Sequence, residues 1–308
     1  MDKKSGMMLV LFTAIVSGFS IFINKFGVEG VDSGVFTFTK NIIVSFVIVS
    51  IILLFKSYKE LIYLKKSDWV KLILIGFLGG SIPFLLFFRG LQLTSSAGAA
   101  LIHKSMFVFV IIFAFIFLKE RVNKNIIIGA GLLFVGNFLI LKINDFGFNY
   151  GSLLILIATL FWAIENTLSK YTLRNLSGNV VIFGRMFFGS LFILFYLIFG
   201  NKLNLILALD TSQIYWILIS TGFLFLYVFS WYNGLKYINV SVASCILLLG
   251  SVITTSLNYI FSGVSVTLVQ AVGMFLLLNG IIFIIGISEF SDLLKYIFSK
   301  RGTIKWKT

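Results

Sequence analysis

Between Ala99 and Phe115 the chain reads AALIHKSMFVFVIIFAF, an apolar run that carries two ionisable residues, His103 and Lys104. His103 is the single histidine of the chain. An ionised side chain at the centre of a membrane-crossing helix costs at least ~2.5–3.5 kcal/mol, so each such residue is a candidate for function. Lys104 lies about nine residues from the nearer end of its run, which at 1.5 Å per residue is ~14 Å deep in a core ~30 Å thick. That is too deep for its side chain to snorkel to the headgroups. The ammonium must face a wet cavity, where it would meet an anionic group of a solute, or pair with a buried acid. The single acid inside a span, Glu165 in FWAIENTLSKY, is the obvious internal partner; alternatively it meets an amine or carries a proton. Asn166 beside it can hydrogen-bond a polar solute, and Trp162 one turn earlier can stack on an organic one. Lys40 either snorkels or faces the same cavity. Tyr232, within SWYNGLKY, and Asn258 complete the candidate solute-binding set with His103. The competing readings are interior packing for Trp162, an interhelical hydrogen bond for Asn258 and an interior hydrogen-bonded role for His103. Arg89, near a helix end, and Arg185, deeper, are candidate structural or gating charges. No metal site is expected, because no second histidine exists and the lone Cys245 lies far along the chain.

These residues need elements long enough to hold them in a bilayer. Hydrophobic residues make up 59% of the chain and charged residues 12%, with a mean hydropathy of +1.06. A soluble domain carries about 25% charged residues, so this composition belongs to an integral membrane protein. Apolar segments of about 17–25 residues predict transmembrane helices rather than barrel strands. Ten are expected, at approximately 6–26, 34–55, 69–92, 95–118, 124–142, 150–170, 178–199, 213–236, 240–262 and 267–287. With the N-terminus inside, the connections and tail on that side hold 18 Lys and Arg, and the other side holds Lys25, Lys142 and Lys202. By the positive-inside rule both termini are expected in the cytoplasm, with the chain multi-pass in the plasma (inner) membrane. The net charge of +14 then faces anionic lipid, so no nucleic-acid partner is needed to explain it. The first apolar stretch is longer than a signal-peptide core and reads as the first span. Residues 289–308 place Phe290, Leu293, Leu294, Ile297 and Phe298 on one helical face, which predicts a basic amphipathic tail on the inner leaflet; a frayed polar end is the alternative beyond Arg301.

The two halves align on each other. Ser17–Lys40 lies on Trp162–Arg185 without gaps at an offset of 145, so that Lys40 falls on Arg185. GLQLTSSAGAALI from Gly90 lies on GLKYINVSVASCI from Gly234, and GAGLLFVG from Gly129 on GMFLLLNG from Gly273, both at 144. This gives a first five-helix repeat over 1–142 and a second over 143–288, ahead of the tail. Because five is odd, the second repeat enters the membrane from the opposite face. Inverted repeats are a transporter signature, with the solute site near the midplane between them.

In these features the chain resembles the EamA-type branch of the drug/metabolite transporter superfamily. The stretches that carry the resemblance are GLQLTSSAGAALI, FLKERV with Glu120 at the family's glutamate, GLKYINVSVASCILLLGSVITT and SGVSVTLVQAVGMFLLLNGIIF. The resemblance implies an all-α integral membrane fold of ten helices in two inverted repeats. It implies a central cavity lined by helices one to four and six to nine, and export or exchange of small metabolites. It also adds Glu120 to the structural or gating charges. The chain departs from the family pattern at Phe107 and Ser251, where prolines are usual, at Val264, where a second glutamate is usual, and at Lys40, where the family has arginine.

The expected function is therefore secondary transport of a small organic solute by alternating access. The basic excess in the spans favours an anionic or zwitterionic solute such as an amino acid. The alternatives are a cationic drug or polyamine exporter, and a non-transporting membrane sensor or structural protein. No constellation for intramembrane catalysis is present, so no enzyme is expected, and no cofactor. No P-loop occurs, so energy is expected from a proton or counter-solute.

Overall fold

The computed structural model describes residues 2–27, 30–141, 148–286 and 290. Ten principal helices cross the molecule. They are α1 (Lys3–Gly27), α2 (Ser33–Leu54), α3 (Lys66–Gly80 and Ile82–Leu91), α4 (Ser96–Lys104 and Met106–Phe113, closed by a π turn at Ala114–Leu118) and α5 (Lys124–Ile140). The second set is α6 (Tyr150–Thr172), α7 (Gly178–Phe199), α8 (Thr211–Leu235), α9 (Val240–Ile246 and Leu249–Ser262) and α10 (Leu268–Ile285). Nine of the ten are long and apolar enough to cross a membrane, and the tenth, α5, is apolar over 17 residues. Helices dominate because a bilayer offers backbone N–H and C=O groups no other partners. Polar residues just outside the apolar runs set several starts. Asp68 accepts from the Lys65 N–H at 3.2 Å, so α3 begins before its apolar stretch. Asn149 accepts from Ser152 N at 2.9 Å to open α6, and Asp210 accepts from Gln213 N at 2.8 Å to open α8. The predicted amphipathic tail lies outside the described residues apart from Phe290, which packs on the main core.

Three helices are interrupted. In α3 the break is at Ser81 (φ −136, ψ −82), two residues before the chain's single proline, Pro83. Helices α4 and α9 break without any proline. Ser105 turns its hydroxyl back to the Ile102 carbonyl at 2.7 Å, and the next bonds tighten to a three-residue spacing, as in Val108 N to Ser105 O. In α9, Leu248 N, Gly250 N and Ser251 N all bond three residues back. At the offset of 144, Ser105 corresponds to Leu249, one residue past the Leu247–Leu248 break, so both repeats interrupt this helix at nearly the same place without a proline.

The packing obeys the repeat. Helix α1 packs on α8 as α6 packs on α3, and α1 on α9 as α6 on α4. Likewise α3 packs on α7 as α8 packs on α2, while α2–α7 and α5–α10 are self-related pairs. These principal pairings survive exchange of the two sets, as a pseudo-twofold relation between inverted repeats requires. At the α5–α10 pair the glycines Gly129, Gly136, Gly273 and Gly280 let backbones touch; a Cβ on Gly136 would sit 2.7 Å from the Gly273 carbonyl. That pair stands aside from the cavity, whose walls come from α1–α4 and α6–α9.

Candidate solute site

A cavity of about 520 Å³ occupies the centre of the bundle. Its walls take residues 17–24 of α1, 36–41 of α2, 84–91 of α3 and 99–107 of α4, which run from the middle toward the end away from the chain's first residue. From the second set it takes mid-helix residues, Trp162 to Asn166 of α6, Arg185 of α7, Leu224 to Tyr232 of α8 and Ser244 to Leu248 of α9. The lining comes in repeat-related pairs: Ser20 with Glu165, Ile21 with Asn166, Lys40 with Arg185, Phe87 with Trp231, Phe88 with Tyr232, and Lys104 with Leu248. One member of a pair is often polar and its mate apolar, so a symmetric frame carries an asymmetric site.

Three cations and one acid face this space. Lys104 ends the first segment of α4, at the break, and its ammonium has no hydrogen bond and no acid within 4 Å among the described residues. Glu165 is not its partner. The Glu165 Oε1 accepts from Tyr232 OH at 2.7 Å and from Ser169 Oγ at 2.6 Å, while Oε2 accepts no hydrogen bond and retains access to the cavity. Lys40 is held by neutral groups, donating to Asn24 Oδ1 at 3.0 Å with its Nζ 4.4 Å from the centroid of the Phe36 ring. Arg185 donates through Nη2 to the Gly79 carbonyl at 3.1 Å, and its buried Nε has no partner.

Trp162 and Asn166 form a second polar row on α6. The Trp162 indole donates to Gly79 O at 3.2 Å, and Trp231 Nε1 donates to Asn166 Oδ1 at 3.1 Å. His103 shares the cavity wall with Lys104, packing its ring edge-on to Trp162 at 4.8 Å and to Phe87 at 5.2 Å, and its Nδ1 is buried without a partner. Thus Lys104, His103, Glu165, Asn166, Lys40, Trp162 and Tyr232 share one cavity, joined by Arg185. Asn258 does not line it; its amide donates to Thr254 O within α9 at 3.0 Å. Arg89 also lies off the cavity and donates to Gln92 Oε1 at 3.1 Å near the end of α3. The sequence reading missed Asn24, Asn41 and Tyr227; the repeat offset could have found Asn24, which sits opposite Ser169, the donor to Glu165.

Glu120 lies at the far, lysine-rich end. Its Oε1 accepts from Val240 N at 2.9 Å, and its Oε2 from Ser241 N at 3.1 Å and Ser241 Oγ at 2.5 Å. It therefore caps α9 from the end of α4, where Asn239 supplies no side-chain cap. The π turn and the left-handed Lys119 (φ 57) aim it there. Around it Lys170 donates to Leu235 O, Lys236 to Leu176 O and Arg174 to Leu118 O, which ties the helix ends shut beneath the cavity.

A bundle of two five-helix repeats around a central, mostly apolar cavity that carries three cations and one carboxylate is the architecture of a multi-pass membrane protein. The chain matches the EamA-like transporter family twice, over residues 4–142 and 149–286, and it belongs to that family. It is thus a membrane transporter of the drug/metabolite superfamily, working on a small-molecule solute within a lipid bilayer. A transporter of Archaeoglobus fulgidus, named as uncharacterized, is 27% identical over 227 residues, covering 72% of this chain and 79% of that protein. Another, from Methanothermobacter thermautotrophicus, is 28% identical over 118 residues, covering 36% of this chain and about a third (34%) of its own length. A solved crystal structure shares the fold with a TM-score of 0.76 at 17% identity, covering 92% of this chain and 96% of its own.

Proposed function

We propose that this protein is a secondary transporter of a small anionic or zwitterionic metabolite, an amino acid being the class that fits, moved by alternating access. The observation that supports this is the Lys104 ammonium, which lines the cavity with no counter-charge within 4 Å among the described residues. Removing an ion from water without a partner costs several kcal/mol, and a solute carboxylate would offset that cost. Lys40 and Arg185 add positive charge held by neutral acceptors, against the single carboxylate of Glu165. The open Oε2 of Glu165 suits the ammonium of a zwitterion. It also supports the second reading, a cationic drug or polyamine exporter with Lys104 as a structural charge.

With the lysine-rich end in the cytoplasm of a plasma membrane, both termini lie inside and the cavity lies toward the outer face. That is one of the two states an alternating-access cycle needs, with energy from a proton or from counter-solute exchange. The experiment is thermal stabilisation of the detergent-purified protein by anionic, zwitterionic and cationic metabolites, with Lys104→Met and Glu165→Gln in parallel. A ligand that binds only the folded state raises apparent stability by mass action. Stabilisation by an anion or amino acid that disappears in Lys104→Met is expected. Stabilisation by cations alone, lost in Glu165→Gln, would replace the anion reading with the second one.

A further inference from the structure

We infer that Pro83 is a positioning residue of the solute site: by removing one backbone N–H it frees the Gly79 carbonyl, which then holds Trp162 and Arg185 at the cavity wall. The inference rests on the transport reading above.

In an uninterrupted helix the N–H of residue 83 would close the turn onto Gly79 O. Proline has no N–H to give. The next donor is diverted as well, since Phe84 N turns to Ser81 O at 3.0 Å and leaves Gly80 O open. Side chains from three other helices take up these carbonyls. Trp162 Nε1 from α6 and Arg185 Nη2 from α7 both donate to Gly79 O, at 3.2 and 3.1 Å. Asn41 Nδ2 from α2 donates to Gly80 O at 2.9 Å. All three side chains line the cavity.

Gly79 must also be side-chain-free for the approach to occur, because a Cβ there would lie 2.5 Å from Glu165 Cγ and 3.0 Å from Arg185 Nε. The Gly79 position therefore lies close against the acid, and its carbonyl anchors Arg185. A carbonyl is a neutral acceptor, so it orients the guanidinium without cancelling its charge. A second carboxylate in that place would cancel it, and no orienting group would leave Arg185 free to swing onto Glu165.

A purely structural role has a different signature. If Trp162 and Arg185 merely mend a helix that proline has broken, then Pro83→Ala removes the damage and leaves the cavity indifferent. If the carbonyl positions them, Pro83→Ala closes the helix, withdraws the acceptor and detaches both side chains. Apparent stability and solute affinity then move in opposite directions.

The test uses the full-length chain in detergent. Indole ¹⁵N signals of the five tryptophans are compared between wild type and Pro83→Ala, with Trp162→Phe to assign the Trp162 signal. Melting is followed with the twenty common amino acids and with carboxylates from acetate to succinate. The expected result is a displaced Trp162 indole, unmoved Trp69 and Trp216 signals, ligand-free melting no lower than wild type, and affinity weaker by ~10-fold or more for whichever probe stabilises the wild type. Wild-type affinity or an unmoved Trp162 signal in Pro83→Ala overturns the inference. If no probe stabilises the wild type, the solute reading fails, and the indole signal still decides whether the carbonyl is the anchor. Pro83→Leu is the second variant, and failure of both to fold overturns the proposal, since it holds that Pro83 is dispensable for folding.

Discussion

Replacing Glu120 with alanine should loosen the lysine-rich end of the bundle while leaving the cavity lining untouched. The carboxylate accepts two backbone N–H groups and one hydroxyl, from Val240 and Ser241, which are 0% and 2% exposed. Removing it strands two buried N–H groups, and each buried donor left without an acceptor costs ~1–3 kcal/mol. Taking the lower half of that range, because the edge of the site is partly open to water, gives roughly 2–4 kcal/mol. At about 2 °C per kcal/mol for a chain of this size, the melting temperature should fall by roughly 4–8 °C. Glu120→Gln keeps one acceptor and the side-chain shape, so its loss should be smaller. The assay is a thermal melt in detergent, followed by intrinsic fluorescence. Val264 provides the control. Gly263 repeats the left-handed turn of Lys119, and Val264 N bonds back to Asn258 O as Glu120 N bonds to Ala114 O, each six residues earlier. The same turn there presents an exposed, uncharged side chain, and Val264→Ala should leave melting unchanged. A drop of under about 1 °C in Glu120→Ala would show that the three hydrogen bonds do not hold α4 to α9.

At the opposite end, Asp32 joins the start of α2 to the connection after α7, accepting from Lys202 Nζ at 2.7 Å and from the Gly34 and Val35 N–H groups. Burial alone would raise its carboxyl, but these hydrogen bonds and the Lys202 charge outweigh it and hold Asp32 below its ordinary range. Its contribution is therefore present above the ordinary aspartate range and lost as pH falls through the depressed value. Accordingly Asp32→Asn should lower the melting temperature at pH 7 and much less at pH 3, as a pair of melts would show. Gly79→Ala should cost more than a routine helical glycine-to-alanine change gains, because its Cβ would press on Glu165 and Arg185. It should abolish probe-induced stabilisation, and wild-type binding in that variant would show that the α3–α6 approach is not needed. Lys104→Met should lose anion-dependent stabilisation without a fall in ligand-free melting, since Lys104 makes no hydrogen bond or ion pair among the described residues; a large fall would mark it as structural.

Much of this was legible in the residues. Apolar segments at membrane length, few charges and a steady offset of about 145 led to ten helices in two inverted repeats. They did so because a bilayer leaves the backbone a small menu, and periodic apolar runs report it directly. Lys104 and Glu165 were singled out by the cost of charge in a span, which is a local property. Their relationship was not local. Whether Lys104 meets a solute or pairs with Glu165 was open in the sequence; the fold turns Glu165 toward Tyr232 and Ser169 and leaves Lys104 unpaired among the described residues. Asn258 looked like Asn166 in sequence, but it lies ten residues past Leu248, where α9 leaves the cavity, while Asn166 falls on the part of α6 that lines it. Pro83 announced a break in α3, but which side chains would claim the freed carbonyls depended on α2, α6 and α7 arriving there together. The sequence by itself determined the number, length and repeat relation of the helices, because those follow from each segment's own partition between water and lipid. Tertiary structure alone decided which polar atoms meet and which stay free, because that depends on helix rotation and approach within an ångström, which no single segment encodes.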